Sequence, residues 1–292
     1  EKLECFNRGI AYLKNCGYRI KTGKSVRESC GYLAGSDRER VEDFMSMFRD
    51  AKIKAVFASR GGFGSMRLLD KIDYDFIRAH PKVLLGYSDI SALQLAVLHK
   101  SNMVSFSGPM VASEFGNNIH FLTEKQCWKV ITTSTKVLLN PARFHIKTKC
   151  YRAGTAQGIL IGSNLSIICS LLGTDYLPSF QNAILVLEDI GEDAYQIDRY
   201  LMQLKLTGIF ERINGLVLGQ FTNCQSSPPS SAPQKSLEQV FEEYFNDMDI
   251  PIVANFPYGH EKKKFTLPLG CRAELNSASG TIKLLEPGVI DE

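Results

Sequence analysis

The sequence lacks any long apolar segment and any excess of charge of one sign, and each absence excludes a class of protein. No apolar run reaches the roughly 18–20 residues that a bilayer-spanning helix needs. The net charge is only +3, and the basic stretch EKKKF at 261–265 is too short for a nucleic-acid-binding tail. We therefore expect neither a membrane nor a nucleic acid as partner.

Cysteine pairs and histidine clusters are also missing. The eight cysteines are scattered without a C-x-x-C spacing, which is typical of reduced thiols in the cytoplasm. The N-terminal segment lacks the apolar core and cleavage site of a signal peptide. The five histidines show no H-x-x-x-H spacing. These features predict a cytoplasmic protein without a metal.

What the sequence does contain is an alternation of apolar strands and amphipathic helices. Candidate strands lie at 53–59, 83–88 and 103–110, and a short strand is expected at Tyr18–Ile20. Strands alternating with helices predict an α/β fold with a parallel sheet. Such sheets bind their ligands at the carboxyl ends of the strands.

The chain divides into two predicted domains, which is consistent with its length of 292 residues. Residues 1–133 form the first domain, 134–153 a connector with edge strands, and 154–292 a second, β-rich domain. The second domain contains the apolar strand AILVLEDI at 183–190 and a Ser/Pro-rich loop at 222–236.

Ser88 stands where the strand KVLLG turns directly into a helix. Serine is favoured at helix N-caps, so Ser88 can be a cap. It can also be a nucleophile, provided that other residues supply a base and an orienting acid, because a serine hydroxyl alone is weak. The local sequence leaves both interpretations open.

Two further polar residues follow apolar strands. Glu188 ends the strand ILVLE, and His260 lies in the turn PYGH after the strand IPIVANF. Glu188 can equally form a structural ion pair, and His260 can be an exposed loop residue. Together with Ser88 they give the order Ser, Glu, His that some α/β hydrolases use, so a catalytic triad is one hypothesis.

The stretch SRGGFGS at 59–65 brings paired glycines to the end of another strand. Glycines allow backbone N–H groups to approach a phosphate or an oxyanion closely, but a simple tight turn needs them too. The dinucleotide fingerprint and the P-loop lysine are absent, which argues against a nucleotide. Arg60 opens this turn and can either hold the free carboxylate of a substrate or pair with a structural acid.

Six segments resemble, in the same order, the LD-carboxypeptidase family of serine peptidases, which includes muramoyl-tetrapeptide carboxypeptidases and microcin-immunity hydrolases. They are ASRGGFGSMRLL, LLGYSDISALQLAV, SFSGPM, GSNLSIICSLLGT, LVLEDIGEDAYQIDRYLMQLKLTGIF and PYGH…TLPLG. The similarity extends from about residue 8 to residue 275. This collinearity is far more specific than any one of the motifs.

The resemblance implies roles for five residues. Ser88 would be the nucleophile, Glu188 the acid and His260 the base. The backbone amides of Gly62 and Asp89 would hold the oxyanion. No metal or organic cofactor is implied.

The resemblance also implies a fold and a reaction. An N-terminal Rossmann-like domain would carry the nucleophile, and a C-terminal β-rich domain would supply the acid and base across a cleft. The enzyme, a cytoplasmic homodimer, would release the terminal D-alanine from murein tetrapeptides during recycling of cell-wall peptides. Two departures stand out: family members usually begin with one further strand, which we expect to precede Glu1, and Ser163 replaces a glycine.

Two alternatives stay open. A microcin-immunity-type hydrolase would cleave aminoacyl-nucleotide antibiotics and offer an aromatic anchor for the nucleobase, whereas Trp128 lies at a helical spacing typical of packing. A non-catalytic peptide- or sugar-binding protein would have no use for Ser88. Labelling by a serine-reactive fluorophosphonate separates an enzyme from a binding protein.

Overall fold

In the computed structural model, which describes residues 2–224 and 235–290, α-helices flank two β-sheets. The helices are α1 (Lys2–Asn15), α2 (Asp37–Arg49), α3 (Tyr74–Ala79), α4 (Ser91–Ser101), α5 (Phe121–Thr132), α6 (Leu165–Leu171), α7 (Ala194–Leu206) and α8 (Leu237–Phe245). Within those two described ranges no helix is long and apolar enough to cross a membrane. Most of the loop predicted at 222–236 lies outside the described residues.

The strands of the first sheet have three or four residues, and those of the second have between two and ten. They are β1 (Ala55–Phe57), β2 (Val83–Gly86), β3 (Ser105–Ser107), β4 (Leu138–Leu139), β5 (Lys149–Arg152), β6 (Thr155–Asn164), β7 (Ala183–Ile190), β8 (Gly215–Thr222), β9 (Ile252–Ala254), β10 (Leu267–Leu269), β11 (Arg272–Asn276) and β12 (Thr281–Leu284). Together with the helices they confirm the predicted mixed α/β fold.

The first sheet has the strand order β1–β2–β3–β10. Strands β1, β2 and β3 are parallel, as the strand–helix alternation predicts, and β10 runs antiparallel to β3. Pro268 in the middle of β10 is tolerated because β10 is an edge strand. A strand from the second predicted domain therefore completes the sheet of the first.

The second sheet has the order β4–β12–β11–β6–β7–β8–β9–β5. Its centre, β6 to β9, is parallel, and the strands on both sides are antiparallel. Both outer strands, β4 and β5, come from the predicted connector 134–153, which thus belongs to this sheet. The domain boundaries at 133 and 154 stay a prediction.

Helix α4 contacts both sheets, through β3 on one side and β6 on the other. Residues 91–98 of α4 are all buried. Full burial of each Leu or Val side chain stabilises the fold by about 1.5–3 kcal/mol, so α4 is firmly anchored. The turn that carries Ser88 leads straight into this helix.

The strand predicted at Tyr18–Ile20 does not form. These residues instead line an apolar cavity of about 560 Å³ beside β1, together with Phe6 and Trp128. The ring of Tyr18 stacks on Trp128.

Candidate active site

Ser88 lies at the tip of a strained turn between β2 and α4. Its φ of 63° is in the left-handed region, which costs a non-glycine residue about 1–2 kcal/mol. The N-cap residues of the two helical turns that follow are Tyr87 and Ile90, and neither forms a side-chain capping hydrogen bond. In the described residues, therefore, no hydrogen bond supports a capping role for Ser88. The turn instead places the half-buried Ser88 at the end of the sheet.

Two glycines make room for this turn. A Cβ atom at Gly61 would come within 2.9 Å of Ser88 Cβ, and one at Gly86 would come within 2.8 Å of Ile90 Cγ2. Real Cβ contacts of this length essentially never occur. The backbone of the glycine-rich turn therefore packs directly against the side chain of Ser88.

The structure brings Ser88, His260 and Glu188 together in one line. His260 Nε2 lies 3.1 Å from Ser88 Oγ, and His260 Nδ1 lies 2.8 Å from Glu188 Oε2. With the proton on Nδ1, the imidazole donates to Glu188 and accepts the hydroxyl proton of Ser88. This is the arrangement that a general base needs next to a nucleophile.

Glu188 is almost completely buried near the end of β7. Burial raises the pKa of its carboxyl group, and the hydrogen bond and charge of His260 oppose that shift. An ionised carboxylate in such surroundings is stabilised most by a cation at His260. The site thus favours the imidazolium that forms when His260 accepts a proton.

The amides that the resemblance assigns to the oxyanion hole belong to two segments held together by Asp89. Its buried carboxylate accepts hydrogen bonds from the Ser65 amide at 2.9 Å and the Ser65 hydroxyl at 2.6 Å. Ser65 ends the glycine-rich turn that contains Gly62, whose φ is 128°. The two hydrogen bonds of Asp89 join the two segments. The oxyanion role of the Gly62 and Asp89 amides stays a prediction.

Arg60 is exposed at the start of the same turn, and its Nε donates to the carbonyl of Gly61 at 3.2 Å. Among residues 2–224 and 235–290 we find no ion pair of Arg60 with an acid. The alternative that Arg60 pairs with a structural acid therefore has no partner acid in the described part of the chain.

Asp189, next to Glu188, points away from His260. Its carboxylate accepts from the Ser166 amide at 2.7 Å in the first turn of α6, and Asn164 Nδ2 lies 3.3 Å away. The side-chain amide oxygen Oδ1 of Asn164, which pairs with Glu188 in the sheet register, is buried and has no hydrogen-bond partner among the described residues. Asn164 lies in the segment GSNLS, whose sequence gives no local signal that this side chain lies beside the triad acid.

Trp128 packs against Tyr18, Phe57 and Phe115. It is thus part of an aromatic cluster, as its helical spacing predicts. In the part of the chain that the structure describes, no group of three His, Cys, Asp or Glu side chains is arranged to hold a metal ion.

Models of two protein domains match this chain. Residues 1–108 match the LD-carboxypeptidase N-terminal domain, and residues 157–275 match the LD-carboxypeptidase C-terminal domain. The two matches include the segments that carry Ser88, Glu188 and His260.

Known proteins are similar over nearly the whole chain. A probable murein peptide carboxypeptidase of Bacillus subtilis (strain 168) is 37% identical over 284 residues, which are 96% of this chain and 86% of the relative. The crystal structure of muramoyltetrapeptide carboxypeptidase from Oxalobacter formigenes has a TM-score of 0.83 and 31% identity, covering 96% of this chain and 93% of that one. The microcin C7 self-immunity protein MccF of Escherichia coli is 27% identical over 96% of this chain and 88% of its own.

Proposed function

Because the chain belongs to the LD-carboxypeptidase family of serine peptidases, we propose that it removes the terminal D-alanine from murein tetrapeptides. The bond cleaved joins D-alanine to the L-centre of the diamino acid at position three. The observation that carries the proposal is the bridge of His260 between Ser88 at 3.1 Å and Glu188 at 2.8 Å. This geometry supports acyl transfer through a serine nucleophile.

In the first half of the reaction, His260 Nε2 takes the proton of the Ser88 hydroxyl as Oγ attacks the scissile carbonyl. Glu188 holds the ring and stabilises its cationic form. The amides of Gly62 and Asp89 would donate to the oxyanion, each contributing about 3–4 kcal/mol as in other hydrolases. His260 then passes the proton to the leaving amine of D-alanine.

In the second half, water attacks the acyl-enzyme. His260 accepts a proton from this water and returns it to Ser88 Oγ as the ester bond breaks. The products are D-alanine and a tripeptide with a free carboxylate. The cycle balances without a cofactor.

We extend the proposal to a cytoplasmic homodimer that recycles cell-wall peptides. The reducing compartment is supported by the eight cysteines, all of which are unpaired and four of which are buried. The dimer and the recycling role rest on the family resemblance.

The substrate assignment is tested with a defined murein tetrapeptide and its all-L counterpart. We expect D-alanine release from the first and no comparable cleavage of the second. Equal rates on both would contradict the L,D specificity. Cleavage of an aminoacyl-sulfamoyl nucleoside in place of either peptide would support the microcin-immunity alternative.

Arg60→Lys should weaken hydrolysis of the free-acid tetrapeptide much more than hydrolysis of its C-terminal amide. The reason is that a guanidinium can bind the terminal carboxylate with two parallel hydrogen bonds, which an ammonium cannot. The kcat/KM values of both substrates with both enzymes check this. An equal loss on the two substrates would instead assign Arg60 to support of the turn, through its bond to Gly61.

A further inference from the structure

We propose that Lys264, Glu114 and Tyr87, which we call the buried cluster, position Ser88 and His260 for proton transfer. The proposal rests on the proposed function, because it assigns a role to residues that support the same triad. None of the three is in the triad. Lys264 and Tyr87 are buried, and the side chain of Glu114 is only 13% exposed.

The cluster is built around the carboxylate of Glu114. Lys264 Nζ lies 2.9 Å from Glu114 Oε1, and the Tyr87 hydroxyl donates to the same oxygen at 2.7 Å. The other oxygen, Oε2, accepts from the Met110 amide at 2.8 Å. Three donors therefore fix the orientation of this one carboxylate.

Tyr87 links the cluster to both reacting side chains. It directly precedes Ser88 in the strained turn, and its ring centroid is 5.0 Å from that of His260. The ammonium of Lys264 lies 3.8 Å from the centroid of the same Tyr87 ring. A cation over an aromatic face is attracted more strongly when both are shielded from water. Tyr87 is thus held by its ring and by its hydroxyl.

The cluster also joins the two parts of the chain that must meet for catalysis. Lys264 lies four residues after His260, on the segment that leads into β10, whereas Glu114 lies in the π-helical turn Val111–Phe115 after β3. Thr123 of α5 adds two bonds: its Oγ1 donates to the Lys262 carbonyl at 2.6 Å and accepts from the Lys264 amide at 3.0 Å. The loop behind His260 is fixed at several points to the nucleophile side.

The chemistry of Lys264 argues for more than packing. Burial lowers the pKa of this lysine, and the carboxylates facing it, Glu114, Glu188 and Glu261, oppose the shift. A buried ion pair is often no more stable than apolar residues of the same volume. What the pair supplies here is direction, because a charged hydrogen bond fixes geometry that an apolar contact leaves free.

The test uses Lys264→Met, Glu114→Gln and the double variant. Each single change leaves a charge that is largely shielded from water without its partner, and it should lower the melting temperature. The double variant removes both charges and should regain most of that stability. Its kcat should nevertheless fall about 10²-fold with little change in KM, the size of loss that a displacement of about 1 Å produces.

Lys82→Met is the matched control. Lys82 lies at the opposite end of β2, where its Nζ donates to the carbonyls of Met47 at 2.9 Å and Asp50 at 2.6 Å. It is a partly buried lysine without contact to the triad. We expect it to lose stability and keep kcat.

The rate of Ser88 labelling by a small fluorophosphonate is measured in parallel, because it reports the serine–histidine pair without the murein substrate. It should fall in the double variant in step with kcat. If the wild-type enzyme is labelled but releases no D-alanine, the proposed substrate is wrong. The positioning role of the buried cluster is then tested by the labelling rates of the variants alone. A wild-type enzyme that is not labelled would refute both proposals.

A double variant with wild-type kcat and labelling rate overturns the positioning role, as does a loss confined to KM. If the double variant does not fold, Tyr87→Phe decides the question, since it removes only the hydroxyl donor. We expect a kcat loss of about tenfold, as for one hydrogen bond to a charged group. An unchanged kcat there overturns the proposal as well.

Discussion

Ser88→Ala should lower turnover by about 10⁶-fold, as removal of the nucleophile does in other serine hydrolases. The hydroxyl is the attacking group, and its bond to His260 is the contact through which it is activated. The fold should be retained, because the helical turns after Ser88 have no side-chain cap to lose. D-alanine release and thermal unfolding measure the two effects.

Ser101→Ala is the control for Ser88→Ala. Ser101 ends the same helix α4, and its hydroxyl donates to the Tyr74 carbonyl at 3.0 Å. Loss of this bond should cost about 1 kcal/mol of stability and leave turnover unchanged. Near-normal activity in Ser88→Ala, accompanied by a similar loss of stability, would return Ser88 to a structural role.

The sequence predicts the turn around Ser88 well because the signals there are local. Val83–Gly86 are apolar and extended, and helical spacing begins at Ile90, so strand, turn and helix follow from neighbouring residues. The contact of Ser88 with His260 joins residues 172 apart in the chain. Periodicity cannot supply such a contact, and the collinear family resemblance is what suggests it.

Long-range strand pairing is what the local pattern leaves open. β4 and β5 contain two and four residues, too few for a clear alternation, and their partners β12 and β9 lie far along the sequence. β10 follows the basic run that ends at Lys264, yet it completes the first sheet. The unpaired N–H and C=O groups of an edge strand can pair with any segment that the rest of the fold brings close to them.

Lys264 shows how charge misleads when each residue is considered alone. The run EKKKF favours a solvated loop, and residues 261–263 are indeed exposed. Lys264 is buried because Phe265 and Leu267 after it belong to the core and draw it inward. Its partner Glu114 is 150 residues away in the chain. The sequence signal for the burial of Lys264 is the apolar run that begins directly after it.

Glu188→Gln should lower turnover by about 10⁴-fold, less than Ser88→Ala, because the acid orients the base and does not itself react. A glutamine can donate its amide protons to His260 Nδ1, which moves the imidazole proton to Nε2. That nitrogen then cannot accept the proton of Ser88. The pH-independent value of kcat measures the loss.

Although Glu188→Gln should lower turnover, it should make the fold relatively more stable as pH rises. Burial raises the pKa of Glu188 in the folded state above its usual 4.5, so the ionised carboxylate opposes folding. The stability that the protonated group contributes is complete below pH 4.5 and is lost as pH rises through the folded pKa. The difference in free energy of unfolding should therefore shift in favour of Glu188→Gln as pH rises, which denaturant unfolding at several pH values can detect.

Asp189→Asn is the control that assigns the acid. Its carboxylate binds the Ser166 amide in the first turn of α6, so the substitution should lower stability by about 0.5–2 kcal/mol, as loss of a helix cap does. Turnover should remain close to wild type, because the carboxylate that touches His260 is that of Glu188. A Glu188→Gln enzyme as fast as wild type, beside an Asp189→Asn enzyme that is nearly inactive, would transfer the acid role to Asp189. It would also require the loop of His260 to move during catalysis, because no bond joins Asp189 to that ring in the described structure.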